Sequence, residues 1–317
     1  MTPNVMVSLP VVDLALQPSV VATAIRHACE SRGFFYVTNH DVPREAVDAM
    51  FHAAREFFSL PVHLKQTVLQ DHNNRGWTPM GEETLDPSSS KRGDSKEGYY
   101  IGREAEEDEI GLPLRGANNW PDEEKLGLVN WRRVMEAYHD EMSSLARRLM
   151  PVFAEALGLE KNFFDEHFRR PTALLRPLHY AASESSPGEG VFAAGAHSDY
   201  GVLTILAVDA EAPGLEIQEA NGSWTPVAGG TSGGFCVNIG DLCERWTNGR
   251  FRSTVHRVVT KQCQGERWSA AFFWEPEFDV VVTPIVREGE KPHYEPCKYG
   301  DYILGKYAAT HEGFKDS

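Results

Sequence analysis

Cysteine is scarce in this chain. Its 317 residues include five cysteines, which are scattered and form no Cys-x-x-Cys pair. A disulfide framework or a cysteine-ligated zinc site requires an even or closely spaced set. The cysteine pattern therefore favours reduced thiols, as in a cytoplasmic protein, over either kind of scaffold.

Positive charge and long apolar runs are also lacking. Lys and Arg number 31 against 46 Asp and Glu, which gives a net charge of −15. So acidic a balance disfavours non-specific binding to nucleic acid or to anionic membranes. No run approaches the roughly 18 apolar residues of a membrane span, and no basic segment precedes an apolar run at the N-terminus. We expect neither nucleic acid nor a membrane among the partners.

What the chain does contain is typical of a folded globular protein, with 41% hydrophobic and 24% charged residues. Helical spacing of apolar residues covers 20–31 and 43–58, on either side of a β-rich run at 34–38. Residues 122–157 predict one long helix or a broken pair of helices. The polar, turn-rich segment 81–96 predicts a mobile loop.

From Thr172 onward, short apolar runs alternate with Gly, Pro, Asn and Asp. They predict strands over 173–180, 202–208, 215–219, 234–239, 253–259, 268–274 and 280–282, with a hairpin turn at Asn221-Gly222. Regularly spaced short strands favour a sandwich, a barrel or a double-sheet jelly roll. We predict an α+β, mainly β fold: a β core with the N-terminal and central helices packed outside it, ending in a short helix over 302–309.

A metal-binding pattern begins at His197-Ser198-Asp199, just before the strand predicted over 202–208. Residues two apart in an extended chain point to the same side, so His197 and Asp199 can reach one ion. His256, within the β-rich run 253–259, is the candidate third ligand. Two imidazoles and one carboxylate leave coordination positions open and suit Fe(II) that must also bind a cosubstrate and dioxygen, although zinc could bind the same set.

Arg267 and Ser269 follow eleven and thirteen residues after His256. Arg267 immediately precedes the strand predicted over 268–274 and Ser269 lies within it, so the two side chains are expected on the same face. A guanidinium and a hydroxyl on one face can hold a carboxylate, the guanidinium with a two-pronged grip. A surface salt bridge is the alternative interpretation of the arginine.

The order His-x-Asp, His and Arg-x-Ser resembles the iron(II), 2-oxoglutarate-dependent oxygenases of the isopenicillin N synthase-like group. Further similar segments cover much of the remaining chain, about residues 7–310; they are 9–14, 33–40, 57–61 and 237–241. Within the group, the sequence most resembles the fungal thymine hydroxylase type. The similar segments are 96–102, 178–180, 197–201, 245–248 and 253–259.

This resemblance implies a double-stranded β-helix, which is a relative of the jelly roll. It implies that His197, Asp199 and His256 ligate Fe(II). It also implies that the distal carboxylate of 2-oxoglutarate is bound by Arg267, Ser269 and Tyr180.

The activity implied is that of a dioxygenase that uses Fe(II), 2-oxoglutarate and O2, with ascorbate as a reductant that sustains activity. 2-Oxoglutarate would be converted to succinate and CO2 while a small molecule is hydroxylated or otherwise oxidised. A planar heterocycle or a specialised metabolite is the expected substrate, and a monomer the expected state. Residues 1–120 would form an N-terminal region and residues 121–317 the jelly-roll core with the C-terminal helix, in one compact unit.

Candidate substrate residues come from the expected barrel mouth and from even spacing along strands. Arg176 lies four residues before Tyr180, and Phe273 four after Ser269, so both are predicted to face the barrel interior. Arg176 could grip a polar or anionic substrate, and Phe273 could stack on a planar one. The full set of candidates is Arg176, Phe192, Phe273, Trp274, Tyr100, Asn74 and Trp77.

Three alternatives remain open from the sequence. The first is an oxidase of the same fold that does not use 2-oxoglutarate, which the set Arg267, Ser269 and Tyr180 disfavours. The second is a non-oxygenase metal-binding module or a zinc hydrolase, which the lack of an HExxH glutamate disfavours. The third is an inactive scaffold, which the intact four-part pattern disfavours.

Overall fold

The computed structural model describes residues 6–209, 213–228, 233–261 and 265–310. Within these ranges the α-helices are α1 (Pro18–Ser31), α2 (Arg44–Phe58), α3 (Val62–Lys65), α4 (Glu123–Leu126), α5 (Trp131–Leu157), α6 (Asp241–Trp246) and α7 (Tyr299–Thr310). Cys263 and the end of the chain after residue 310 lie outside the described residues.

The strands of the described ranges are short except for two of nine residues. They are β1 (Val11–Asp13), β2 (Phe34–Thr38), β3 (Gly76–Thr78), β4 (Lys96–Gly102), β5 (Thr172–Tyr180), β6 (Ala194–His197), β7 (Leu203–Val208), β8 (Leu215–Gln218), β9 (Trp224–Pro226), β10 (Phe235–Ile239), β11 (His256–Val258), β12 (Arg267–Glu275), β13 (Val281–Val282) and β14 (Cys297–Lys298).

Two sheets form the jelly-roll core, as predicted. The main sheet has eight strands in the order β1-β2-β10-β7-β12-β5-β4-β3, and the minor sheet has four in the order β6-β11-β8-β9. All pairs are antiparallel except β1 with β2. The longest pairing joins β5 to β12 over nine residues, from Thr172–Glu275 to Tyr180–Arg267. The turn at Asn221-Gly222 connects β8 and β9, which confirms the predicted hairpin.

Alternation along the strands gives the main sheet two chemically different faces. The outer face packs against the helices: Phe272 of β12 contacts His139 of α5, and Trp268 contacts Phe58 of α2. The inner face turns toward the minor sheet, where Tyr180 clusters with Val258 of β11. Successive residues of β5 and β12 therefore belong alternately to the aromatic core and to the space between the sheets.

Helix boundaries follow local signals. Pro18 occupies the first turn of α1, where its missing N–H is not needed. Residues 122–157 form a broken pair, α4 and α5, because Gly127 ends α4 in the left-handed conformation (φ 69°). The last helix begins at Tyr299, three residues before the predicted start. No helix in the described ranges combines the length and the apolar character of a membrane span.

The polar segment 81–96 differs from its prediction as a mobile loop. Glu83 and Asp94 are buried, and both form ion pairs with the buried Lys96. Buried, paired charges fix a segment that its composition alone would leave in solvent. The main sheet also combines β1–β4 with strands from beyond residue 120; the division of the chain at residue 120 stays a prediction.

Candidate active site

The predicted metal ligands meet where the two sheets open. His197 at the end of β6 and His256 at the start of β11 are direct partners in the strand register. Asp199 follows β6, and its Oδ1 lies 3.9 Å from Nε2 of each histidine. The three candidate ligand atoms lie within 4.8 Å of one another. Among the described residues, this is the one group of three or more His, Cys, Asp or Glu side chains close enough to share an ion.

Backbone carbonyls orient the two imidazoles. Nδ1 of His197 lies 2.8 Å from the carbonyl oxygen of Gly195, and Nδ1 of His256 lies 3.1 Å from that of Thr254. A carbonyl oxygen only accepts, so Nδ1 must donate in each ring. The lone pair therefore lies on Nε2, the atom that faces the cluster, as in metal-binding histidines.

The carboxylate of Asp199 is oriented by two donors. Its Oδ2 accepts hydrogen bonds from Thr204 Oγ1 at 2.6 Å and from Asn238 Nδ2 at 2.7 Å. Both donors come from the inner face, on β7 and β10. Because Oδ2 is engaged, Oδ1 is the oxygen directed at the histidines.

Burial and neighbouring charges set the ionisation of the group. Burial, followed by the second imidazole at His256, lowers the pKa of His197 to about 4. Burial acts to raise the pKa of Asp199, but His256, His197 and the two hydrogen bonds to Oδ2 outweigh it and lower that pKa. A neutral imidazole and an ionised carboxylate are the forms that bind a metal ion.

A buried cationic clamp lies on the inner face of β12 and β5. Arg267 is 3% exposed, and its Nη1 donates to Ser269 Oγ at 3.2 Å. Its guanidinium carbon lies 4.7 Å from the centre of the Tyr180 ring, on the strand position directly opposite. The Nε of Arg267 is buried without a hydrogen-bond partner. A buried donor left unpaired is costly, so this arrangement fits a bound anion such as a carboxylate.

A cavity opens beside His197 and Asp199, with about 630 Å³ of empty space including its mouth. Three predicted substrate residues, Tyr100, Arg176 and Phe273, line it. The strand spacing used for Arg176 and Phe273 thus places both on the inner face, toward the candidate metal ligands.

Two predicted substrate residues lie on the other side of the main sheet, contrary to expectation. Trp274 is fully buried and stacks on Phe168, with ring centres 5.8 Å apart, because it follows Phe273 and so points to the outer face. Trp77 is also buried, and its Nε1 donates to Glu97 at 2.8 Å. Both tryptophans belong to the core rather than to the cavity.

Asn74 and Phe192 also do not line the cavity. Asn74 is fully buried and donates from Nδ2 to the Tyr307 hydroxyl at 3.2 Å, so it supports the cavity wall from behind. Phe192 is buried, with its ring centre 5.8 Å from the guanidinium of Arg257. Their predicted position near the mouth of the barrel was not sufficient to determine where either side chain points.

Several cavity residues were not found from the sequence. Glu275 continues the even spacing of Arg267, Ser269 and Phe273, and this signal could have identified it. Tyr299, Ile303 and Tyr307 are four residues apart and form one face of α7, a helical signal that could also have been used. Glu83 comes from the polar segment 81–96, where no periodicity marks it.

Glu275 is held in place by the backbone at the cavity floor. Its Oε2 accepts a hydrogen bond from the Val202 amide at 2.8 Å. A Cβ at Gly201 would come within 1.6 Å of the Glu275 carboxylate, so any larger residue there would require this carboxylate to move. Burial raises the pKa of Glu275 well above its ordinary value, and the carboxyl is therefore neutral over a wider pH range than an exposed glutamate.

Two family models match most of the chain. Residues 9–123 match the model described as the N-terminal region of non-haem dioxygenases in morphine synthesis, and residues 174–276 match the 2OG-Fe(II) oxygenase superfamily. The chain is 33% identical over 298 residues to the 2-oxoglutarate-Fe(II) type oxidoreductase hxnY of Emericella nidulans, covering 90% of this chain and 84% of that protein. It is also 33% identical over 291 residues to the 2-oxoglutarate-dependent dioxygenase caaD of Aspergillus niger, covering 90% and 88%.

Solved structures agree with these relatives. The full-length thymine 7-hydroxylase of Neurospora crassa in complex with α-ketoglutarate (2-oxoglutarate) aligns with a TM-score of 0.83 and 30% identity, covering 95% of this chain and 96% of that one. The same protein with α-ketoglutarate and thymine aligns with a TM-score of 0.82 and 29% identity, covering 98% of both.

The chain belongs to the 2OG-Fe(II) oxygenase superfamily. Within it, the chain is an Fe(II)- and 2-oxoglutarate-dependent dioxygenase, whose cofactor set is Fe(II), 2-oxoglutarate and O2. Its similarity to the Neurospora thymine 7-hydroxylase confirms the expected resemblance to the thymine hydroxylase type. These findings favour the oxygenase over the zinc hydrolase and over the oxidase that does without 2-oxoglutarate.

Proposed function

We propose that this dioxygenase hydroxylates, or otherwise oxidises, a planar heterocyclic small molecule in the cavity beside His197 and Asp199. The observation that carries the proposal is that one face of β12 holds both the buried Arg267 clamp and Phe273, and that Phe273 lines an aromatic-walled cavity that opens beside His197 and Asp199. The oxidation chemistry and the recognition of a flat ring thus have neighbouring places in the fold.

The iron would be held by Nε2 of His197, Oδ1 of Asp199 and Nε2 of His256. Three features support this set: the mutual distances of the three atoms, the carbonyl-bound Nδ1 atoms and the fixed Asp199 carboxylate. Iron bound there, with 2-oxoglutarate and O2, supplies an oxidant able to cleave a C–H bond while 2-oxoglutarate yields succinate and CO2. The protein residues bind and orient the reactants.

The 2-oxoglutarate would place its distal carboxylate against Arg267, Ser269 and Tyr180. The unpartnered Nε of Arg267 and the Ser269 hydroxyl provide donors at one point, and burial strengthens the attraction between guanidinium and carboxylate. Arg267 is fixed between its serine partner and the Tyr180 ring, so it does not need to reorganise when the anion arrives.

The substrate would lie against Phe273 and near Tyr100 and Arg176. Flat rings bind well against aromatic side chains. The thymine bound in the Neurospora structure is a ring of this kind. The same interpretation assigns no direct contact to Trp274, which faces the core.

We further propose that the enzyme works as a monomer in the cytoplasm, on small molecules rather than on nucleic acid or a membrane. The net charge of −15 supports the choice of partners, and the unpaired Cys29, Cys236 and Cys243 support a reducing compartment. Ascorbate would serve as the reductant that sustains activity.

An anaerobic titration tests the proposal. Fe(II) and then 2-oxoglutarate are added to the protein, and the weak visible charge-transfer band of the chelate is recorded. The band should form in the wild type and weaken in Arg267→Ala, but not in Arg44→Ala, which removes an exposed arginine of α2. A band of unchanged strength in Arg267→Ala would reject the assignment of the clamp. Absence of the band in the wild type despite bound iron would reject the binding of 2-oxoglutarate at this site, and failure to bind iron would reject the assignment of the ligands.

A further inference from the structure

A second buried arginine, Arg176, lies in the cavity wall, and its charge is already neutralised. Its two terminal nitrogens face the two carboxylate oxygens of Glu83, with Nη1–Oε1 at 3.3 Å and Nη2–Oε2 at 3.0 Å. Arg176 is 6% exposed and Glu83 is 8% exposed. This two-pronged pairing occupies the geometry with which arginine would otherwise bind a substrate carboxylate.

Glu83 is itself held in place by a second pair. Lys96 Nζ lies 2.8 Å from Glu83 Oε2 and 2.6 Å from Asp94 Oδ2. Two buried cations thus meet two buried carboxylates, and the cluster as a whole is neutral. Asp94 also accepts the Gly195 amide at 2.9 Å, which joins the cluster to the strand that carries His197.

The guanidinium of Arg176 has little freedom to leave this pairing. Its carbon lies 4.3 Å from the centre of the Tyr100 ring. Its Nε has no hydrogen-bond partner among the described residues, but this atom faces the backbone of Gly98 so closely that a Cβ there would lie 3.0 Å from it. Moving the guanidinium away from Glu83 would leave buried charge uncompensated, so an exchange of partners carries a large cost.

The remaining charges of the cavity wall are acidic. In the described part of the chain, the wall has no Lys or Arg other than Arg176, whereas Glu83 and Asp199 contribute carboxylates and Glu275 contributes a carboxyl group whose pKa is raised by burial. A substrate carboxylate would enter a space in which both terminal nitrogens of the one guanidinium are already paired. The other ionisable groups of the wall would repel the carboxylate or contribute no attraction to it. An uncharged ring would meet no such penalty.

We propose that Glu83 sets the charge selectivity of this site: by occupying Arg176, it makes the cavity accept uncharged planar rings and reject their carboxylate counterparts. This inference rests on the cavity being the substrate site, as in the proposed function. It is opposite to the sequence-based expectation that Arg176 could grip an anionic substrate, and the binding ratios below distinguish the two. Glu83 acts here through Arg176 and is a specificity-determining residue rather than a catalytic one.

Matched ring pairs test the charge selectivity. Benzamide against benzoate, and uracil against uracil-6-carboxylate, differ mainly in the negative charge. Their dissociation constants are measured by calorimetry on the full chain, both without metal and with Fe(II) and 2-oxoglutarate under anaerobic conditions. In the wild type, the uncharged member of at least one pair should bind about tenfold or more tightly than its carboxylate, a ratio in the range expected for close buried charges.

The Glu83→Gln variant should shift this preference by about tenfold or more toward the carboxylate, because Arg176 loses its counter-charge. The double variant Glu83→Gln/Arg176→Gln should lose that gain. Glu82→Gln, at the exposed neighbouring position, is the matched control and should leave the preference unchanged. A melting curve recorded for each variant shows that it is folded.

Two results would overturn the proposal without any variant: equal binding of both members of each pair by the wild type, or no binding of the uncharged members. A gain for carboxylates in Glu83→Gln that persists in the double variant would also contradict it. The metal-free measurement separates this proposal from the oxygenase assignment. If the charge-transfer band of the iron–2-oxoglutarate chelate did not form, the dissociation constants of the ring pairs could still be measured. If both members of each pair bound equally, the charge-transfer band would still form.

Discussion

The two faces of the main sheet are formed by the same strands, but the inner face lines the candidate active site and the outer face packs against the helices. On β12, Arg267, Ser269 and Phe273 point inward to the candidate active site, whereas Trp268 and Phe272 point outward to the helices. On β4, Lys96 joins the cavity cluster, whereas its neighbour Glu97 lies in the outer layer. Each strand therefore carries chemistry and packing on alternate residues.

This contrast shows how packing on one face of a β-sheet can hold the functional side chains of the other face in fixed directions. Outward rings on β4, β5 and β12 pack against α2 and α5, and this packing fixes the direction of the inward residues on the same strands. Substitutions on the inner face should change binding while leaving the fold intact, and those on the outer face should do the reverse. The predictions below test this separation, beginning with the largest expected effect.

His256→Ala should abolish turnover of 2-oxoglutarate. The substitution removes one of three ligands, so the loss should exceed the roughly 100-fold effect typical of a residue that only supports a ligand. Iron content per chain and succinate formation are the measurements. His52→Ala, which changes an exposed histidine on α2, serves as the control; a His256→Ala protein that retained iron and activity would remove His256 from the metal site.

Arg267→Ala should raise the dissociation constant for 2-oxoglutarate by about 30-fold or more, since truncating one partner of a buried charge pair typically costs about 2–5 kcal/mol. Arg267→Lys should recover only part of the affinity, because an ammonium lacks the two-pronged geometry. Calorimetric titration with 2-oxoglutarate gives both values. Unchanged affinity in the alanine variant would show that the carboxylate binds elsewhere.

Glu97→Gln, on the outer face, should lower the free energy of unfolding by about 3 kcal/mol, the scale of a broken buried ion pair. The Glu97 carboxylate accepts hydrogen bonds from Lys65 at 2.7 Å, from Trp77 at 2.8 Å and from His179 at 2.8 Å. Denaturant unfolding measures the loss, while iron affinity should stay within about twofold of the wild type.

The pH dependence sharpens the Glu97 test. Burial acts to raise the pKa of Glu97, but the hydrogen bonds from His179, Lys65 and Trp77 and the charge of Lys65 lower it below the ordinary 4.5. The stabilisation is therefore complete above pH 4.5 and is lost as the pH falls through the lowered pKa. The difference between wild type and variant should shrink in that acid range. Glu136→Gln, which breaks an exposed pair with Arg132, should cost at most about 0.5 kcal/mol at any of these pH values.

Thr204→Val, on the inner face, should weaken iron binding by about tenfold without changing stability by a comparable factor. It removes the 2.6 Å hydrogen bond to Asp199 Oδ2, and supporting residues of this kind typically account for about 10–100-fold in metal affinity. Thr204→Ser retains the hydroxyl and should restore affinity. Competition with a chelator measures the iron dissociation constant; equal values for the valine and wild-type proteins would show that Asn238 suffices.

The part of the site that sequence could predict is the part built from strand periodicity. His197 and Asp199 are two residues apart, and Arg267, Ser269 and Phe273 share one parity, so local spacing fixes their common side. Continuation of the same rule would have identified Glu275. The family resemblance supplied Tyr180 and the jelly roll, which periodicity alone left among several β folds.

The rest of the cavity depends on contacts between distant segments. Glu83 is in the site because Arg176, 93 residues later, and Lys96 bury it, and nothing within its own segment marks that outcome. Asn74 illustrates the same dependence: besides its local hydrogen bond from Gln70, its side chain donates to the Tyr307 hydroxyl, 233 residues away. Trp274 was a different kind of error, because its parity already assigned it to the outer face.

The C-terminal helix α7 supplies Tyr299, Ile303 and Tyr307 to the cavity wall but contributes none of the candidate iron or 2-oxoglutarate ligands. One part of the cavity wall is thus encoded apart from those candidate ligands. Point changes confined to this last helix can reshape the pocket without altering any of those ligands. Substitutions in this one short helix, whether natural or introduced in a mutant library, can therefore change the substrate range while the reaction is conserved.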